Sequence, residues 1–283
     1  MNKLFKNSAV RLGSLVLGLL ILIALAAPWL GTVDPAQMDA NHINTASGTA
    51  GQFNGIAHTL WMGADSFGRD IYSRVLFGTR VSLLVGLFTA VLAVTLGAAL
   101  GMLAGYFRTL DMILMRIMDG LMAIPAVLLA IALVAALGAQ LWTVVVAIAI
   151  PEIPRVTRLV RSLVLTLREE PYVEAAKALA TPVPQILWRH ILPNSLAPLL
   201  VQGTFIAASA VLTEAILSFL GLGLPADVPT WGNIMAEGRV QFTQYPGNVL
   251  FPALFLVPTV LAINMLGDGL RDVLDPKFAK RGN

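Results

Sequence analysis

The sequence predicts an all-α integral membrane protein with six transmembrane helices and both termini in the cytoplasm. Three observations predict it. Hydrophobic residues fill 57% of the 283 positions, charged residues only 12%, and the mean hydropathy is +0.78. A soluble domain of this length has no use for so much apolar surface. Six apolar runs of near-spanning length recur along the chain, and lysine and arginine fall very unevenly between the loops those runs define.

Taken in order, the first run covers residues 12–30 and carries no charge. Lys3, Lys6 and Arg11 before it, and Ala24-Leu25-Ala26 within it, also fit a cleaved signal peptide. Apolar residues continue through Trp29 and Leu30, which favours an uncleaved first helix. The second run, 81–105, is bracketed by Arg80 and Arg108. Residues 120–150 carry no charge; as one helix they would reach about 46 Å, too long for a hydrocarbon core of about 30 Å. Gly138-Ala139-Gln140 therefore divides them into a third run at 120–138 and a fourth at 141–159. Pro151, Glu152, Pro154 and Arg155 make the fourth the least regular. The fifth run is 196–220 and the sixth 249–266. Pro125 and Pro258 are expected to kink the third and sixth helices. Gly97, Gly101 and Gly105 form consecutive GxxxG steps, read as close packing within the bundle.

With the N-terminus inside, fifteen of the nineteen basic residues are cytoplasmic. They are Lys3, Lys6, Arg11, Arg108, Arg116, Arg155, Arg158, Arg161, Arg168, Lys177, Arg189, Arg271, Lys277, Lys280 and Arg281; Arg69, Arg74, Arg80 and Arg239 lie outside. This asymmetry accounts for the pI near 9.4 without nucleic acid. Gly68-Arg69-Asp70 through Arg80 reads as an interfacial helix before the second span, with Ile71, Val75 and Leu76 on one face and the charges on the other.

Residues 171–194, PYVEAAKALATPVPQILWRHILPN, form a basic amphipathic stretch between apolar runs. Pro171 and Pro184 suit first-turn positions, so two short helices joined at Thr181-Pro182 are expected. Val173, Ala176, Leu179, Ile186, Leu187 and Ile191 make apolar stripes at helical spacing, while Glu174, Lys177 and Arg189 require water. Such an element on a loop presents a surface to a soluble partner; the plainer alternative is a helix lying on the membrane.

Four blocks then carry a resemblance. They are Gly63-Ala64-Asp65-Ser66-Phe67-Gly68-Arg69-Asp70 with Gly78-Thr79-Arg80; the Glu174-Ala175-Ala176 stretch with Ile191-Leu192-Pro193; Leu217-Ser218-Phe219-Leu220-Gly221-Leu222-Gly223 with Pro229 and Trp231-Gly232; and Asn264-Met265-Leu266-Gly267-Asp268-Gly269 with Asp275-Pro276. From about residue 60 to 277 the chain resembles the C-type permease of the dipeptide, oligopeptide and nickel ABC importers. The resemblance implies a type-1 ABC importer permease fold in the bacterial inner membrane, with a terminal helix and periplasmic loop over 1–79, a permease core over 80–271 and a cytoplasmic tail over 272–283. It implies a second permease subunit, two ATPase subunits, a periplasmic substrate-binding protein and surrounding membrane lipid as partners. It also implies docking of the ATPases on Glu174, Ala175, Ala176, Ala180, Ile191, Leu192 and Pro193. Ala180 departs from the family pattern, which has glycine there as a helix terminator with positive φ.

Glu214, in the fifth run, is expected to line the outer pathway because an ionisable group in a span is costly unless it meets water or a partner. Ser218 and Trp231 are expected at the same outer gate, with Trp231 also an aromatic anchor for the binding protein. Peptides are the expected cargo, with nickel chelates, opines and glutathione-like compounds open. The chain has no cysteine and no G-x-x-x-x-G-K-[ST] loop, and its three histidines are scattered. No cofactor or metal is therefore expected on this chain, and ATP belongs to partner subunits. The rival reading is an ion-gradient-driven secondary transporter, which usually shows inverted repeats and paired intramembrane charges.

Overall fold

A computed structural model describes residues 7–53 and 56–274. Asn7 caps the first helix, α1 (Ser8–Ala26), by accepting a bond from the Ala9 N–H at 2.9 Å. The chain after α1 holds an antiparallel pair, β1 (Thr49–Phe53) and β2 (Ile56–Leu60), in register from Thr49↔Leu60 to Phe53↔Ile56. This short hairpin, not expected from the sequence, sits in an otherwise helical chain. Phe53, Leu60 and Ala64 pack with Val33 into a small core of their own, which a scan for spanning runs cannot detect.

Asp70 starts α2 (Ile71–Tyr106), accepting from the N–H groups of Tyr72 and Ser73 at 3.3 and 3.0 Å. The expected interfacial helix and second span are one helix of 36 residues, about 54 Å long. No proline interrupts it, and Gly78 alone does not stop it. The third run also differs from expectation: α3 (Arg108–Met122) and α4 (Ala126–Leu137) meet at 89° instead of forming one kinked helix. Pro125 donates no bond and disfavours helical backbone at Ile124, so the helix stops. Gly138, at φ 90°, turns the chain into α5 (Leu141–Leu167), as expected.

After α5 come α6 (Pro171–Ala178) and α7 (Val183–Ile186), with Pro171 and Pro184 in their first turns as the sequence predicts. The second short helix does not end. It continues through a π-helical stretch, Leu187–Ile191, into α8 (Leu192–Phe219). Two elements follow, α9 (Trp231–Gly238) and α10 (Gly247–Leu274). Among the described residues, four helical stretches are long and apolar enough to cross a membrane, or five if the bent α3–α4 pair is one span. With Glu152, Arg155, Arg158 and Arg161 in its sequence, α5 is not among them.

Contacts of small residues establish how the helices run. A Cβ placed on Gly97, Gly101 or Gly105 of α2 would stand 2.5–2.7 Å from Val156, Val160 and Val164 of α5 respectively. The residue numbers rise together, so α2 and α5 are parallel, with Phe88 against Trp142 at 5.0 Å between ring centroids near the other end. Gly86 meets Val211 and Gly203 meets Val94, so α8 is antiparallel to α2; Gly13 meets Ala262 and Val10 meets Gly269, so α10 is antiparallel to α1. The start of α1, the ends of α2, α5 and α10, and the start of α8 consequently share one face with α6 and α7. At the opposite end Arg80 donates to the carbonyls of Ala24 and Leu25, at the C-terminus of α1.

Candidate functional site

At the shared face, residues 171–193 have an inner and an outer side. Val173, Ala176, Ile186 and Ile191 are buried with Val160 and Val164 of α5 and Leu199 of α8. Glu174, Ala175, Ala180 and Pro193 are exposed, Leu192 is half-buried, and Leu179 and Trp188 are 82% and 70% exposed. The Glu174 carboxylate makes no hydrogen bond or ion pair with any described residue. Lys177 Nζ donates to the Arg168 carbonyl at 3.0 Å, and Asn194 Nδ2 to the Tyr172 hydroxyl at 3.2 Å, so the segment is held to its flanks. Ala176, like Ile191, faces this chain's own core. Its small size lets α6 approach α5.

Ala180 takes φ 55°. Its N–H bonds to the Lys177 carbonyl at 2.9 Å and that of Thr181 to the Ala176 carbonyl at 3.1 Å, the paired bonds of a Schellman cap. The glycine-type terminator is thus built with alanine. Ala180→Gly should relieve about 1 kcal/mol of backbone strain and raise the thermal midpoint of the purified protein; a lower midpoint would contradict the strained cap.

A second cluster, away from this face, is buried. Glu214 of α8 is fully buried, and its Oε1 accepts from Ser218 Oγ at 2.8 Å. Oε2 has no hydrogen bond, though the Ser82 and Thr230 hydroxyls lie beside the carboxylate. Trp231 is also fully buried; its Nε1 donates to the Val75 carbonyl at 3.3 Å. Gly232 lets α9 touch Ala215 and Ser218, where a Cβ would come within 2.7 and 2.8 Å. Glu214, Ser218 and Trp231 are therefore one cluster, between α2, α8 and α9. Burial removes Trp231 as an anchor for a soluble partner in this conformation.

Arg69 and Arg74 are buried, not arrayed on the wet side of an interfacial helix. Arg69 Nε pairs with Asp65 at 2.8 Å and its Nη2 with Glu237 of α9; Arg74 Nη2 lies 3.4 Å from Glu237, and the Ala226 carbonyl accepts from both arginines. Burial pushes the Glu237 carboxyl above its usual range, with Arg74 and Arg69 pulling against the shift. Sequence reasoning missed this cluster. The available signal was Arg74 among Ile71, Val75 and Leu76 at the start of an apolar helix, and it points to no partner. Between α1, α2, α8 and α10 lies a cavity of about 1050 Å³ with almost wholly apolar walls, including Leu84, Leu87, Val91, Leu196 and Leu200.

The bundle of long apolar helices and the projecting amphipathic segment fit a multi-pass membrane permease subunit. The chain belongs to the family of binding-protein-dependent transport system inner membrane components, whose model matches residues 93–280; the N-terminal transmembrane domain of oligopeptide transport permease C matches residues 1–46. It is 48% identical to a probable peptide ABC transporter permease of Sinorhizobium fredii, over 98% of this chain and 91% of that protein. It is 44% identical to a dipeptide transport system permease of Alkalihalophilus pseudofirmus (98% and 88%) and 41% to a glutathione transport system permease of Escherichia coli (92% and 84%). In fold it matches a chain of a methionine ABC transporter solved in inward-facing conformations, with a TM-score of 0.56 at 20% identity, covering 71% of this chain and 96% of that one. It is a multi-pass protein of the bacterial inner membrane.

Proposed function

We propose that this chain is one of two permease subunits of an ABC importer for di- and oligopeptides, working with two ATPase subunits and a periplasmic binding protein. The observation that carries the reading is the two-sided segment 171–193, anchored inwardly by Val173, Ala176, Ile186 and Ile191 while Glu174, Leu179 and Trp188 project without a partner. The names of the relatives support peptide cargo. The chain lacks a phosphate-cradling loop, so ATP is bound and hydrolysed elsewhere. Closure of the ATPases moves the segment, and the two permeases rock between inward and outward access. Glu214, Ser218 and Trp231 form this chain's outer gate.

Six crossings with both termini cytoplasmic fit this role. Because α2 and α5 run parallel in contact from Phe88–Trp142 to Gly105–Val164, α5 makes its own crossing in the direction of α2. Ten of the fourteen described basic residues lie toward the face of α6, as a cytoplasmic face requires. Lys277, Lys280 and Arg281, assigned to the same side, lie outside the described residues, as do Lys3, Lys6 and Asp275-Pro276.

The test is reconstitution in vesicles with and without the co-purifying ATPases and binding protein. ATP-dependent peptide uptake should need all of them. ATP turnover by this chain without them, or uptake driven by an ion gradient, would overturn the reading.

A further inference from the structure

From Arg155 onward, the exposed positions of α5 are Arg155, Arg158, Ser162 and Thr166, all polar and spaced to share one helix face. Over their apolar lengths the described helices α1 and α10 look different. The exposed positions of α10 from Gly247 to Leu261 are Leu250, Leu254, Val257 and Leu261, with Asp268, Arg271 and Asp272 exposed only in its last turns, and those of α1 past Arg11 are leucines and an isoleucine. Those apolar faces suit lipid; the face of α5 does not. Its depth matters too. Gly97 of α2 packs at the level of Ile153 and Val156, and lies only four residues, about 6 Å, from the centre of the apolar run 81–105.

Arg155 is built for a ligand. Its Nη1 donates to both oxygens of Glu152 at 3.1 and 3.2 Å, and the Glu152 side chain is 9% exposed while that of Arg155 is 55% exposed. The carboxylate thus orients the guanidinium, leaving the Nε–Nη2 edge without a hydrogen bond to any described residue. Arg158 and Arg161 are instead tied to α3, by Asp119 at 2.5 Å and by Asp111. The 1050 Å³ cavity is no alternative route, since its walls offer a charged solute almost nothing polar.

We propose that this face of α5 is the chain's wall of an aqueous translocation path, and that Arg155 there receives the terminal carboxylate of the substrate. An arginine edge matches a carboxylate with two parallel bonds. The carboxylate assignment rests on the importer reading above; the aqueous wall does not depend on which solute is carried.

Two readouts on the assembled complex in proteoliposomes separate these claims. The chain has no native cysteine, so Arg158→Cys, Ser162→Cys, Leu254→Cys and Leu261→Cys each supply a single thiol to it. A charged, membrane-impermeant methanethiosulfonate should modify the two α5 positions and spare the two on α10, read as added mass on this chain. Equal protection of all four overturns the aqueous wall. Uptake of trialanine and of its C-terminal amide is then compared. Arg155→Gln should lower trialanine uptake about tenfold, the worth of one charge-assisted pair, and leave the amide unchanged, with Arg155→Lys recovering part of the loss. Equal loss for both peptides, or no loss, overturns the carboxylate role. If the unaltered complex carries neither peptide, the peptide reading and the carboxylate role fall together, while thiol reactivity still decides the wall.

Discussion

Glu174→Lys and Leu179→Asp should each abolish uptake while leaving the chain in the membrane. Glu174 on α6 and Leu179 at its C-cap are both exposed, and neither side chain holds the fold together. A leucine buried in a partner groove contributes about 1.5–3 kcal/mol. An aspartate in its place loses that and adds an unpaired charge, for a total of several kcal/mol. Attachment of the ATPases should therefore weaken about a hundredfold or more. The check is recovery of the ATPases with an affinity-tagged variant, alongside ATP-dependent uptake. Normal recovery with normal uptake refutes docking on this surface. Ala176→Asp is a poorer probe, because it would place a charge against Val160 and Val164 and damage this chain's own packing.

The second large effect is expected from Glu237→Ala. It leaves Arg69 and Arg74, both buried, with Asp65 as their remaining acidic partner. Breaking a buried charge cluster from one side costs about 3–5 kcal/mol, so the thermal midpoint should fall clearly. The double change Glu237→Leu with Arg74→Met should recover much of the loss, since removing opposite charges together avoids an uncompensated one. An unchanged midpoint for Glu237→Ala would show that the cluster does not hold α9 against the start of α2.

Spanning helices were legible because apolar length is dictated by the solvent and needs no knowledge of neighbours. The Gly138 turn, the Pro171 and Pro184 starts and the packing role of Gly97, Gly101 and Gly105 were legible for the same reason: each follows from local chemistry. What escaped depends on distant partners. Arg74 looks solvated in sequence, and Glu237, which lies 3.4 Å from it, is 163 positions away. Trp231, after a loop with two prolines, reads as an anchor open to a soluble partner until α2 and α8 enclose it. At Pro125 the sequence signals a break but not its size, because the 89° turn depends on where α3 finds Arg161 and Arg158. The hairpin had a local signal, Asn54-Gly55 between two short strands, overshadowed by hydropathy.

The parallel pairing of α2 with α5 has a consequence for biogenesis. Adjacent helices in a chain entering a bilayer can associate as antiparallel hairpins as they emerge, but the glycine face of α2 cannot be covered that way, since its neighbour α5 is made three helices later. About 60 residues separate Tyr106 from Leu167, and at about 5–20 residues per second this part of synthesis takes roughly 3–12 s. Throughout that interval the backbone at Gly97, Gly101 and Gly105 lacks Val156, Val160 and Val164 against it, and small-residue stripes favour close helix contact. The nascent subunit is therefore most vulnerable to misassembly in this window, and insertion factors that shelter α2 until α5 arrives should affect its yield more than factors acting on α10.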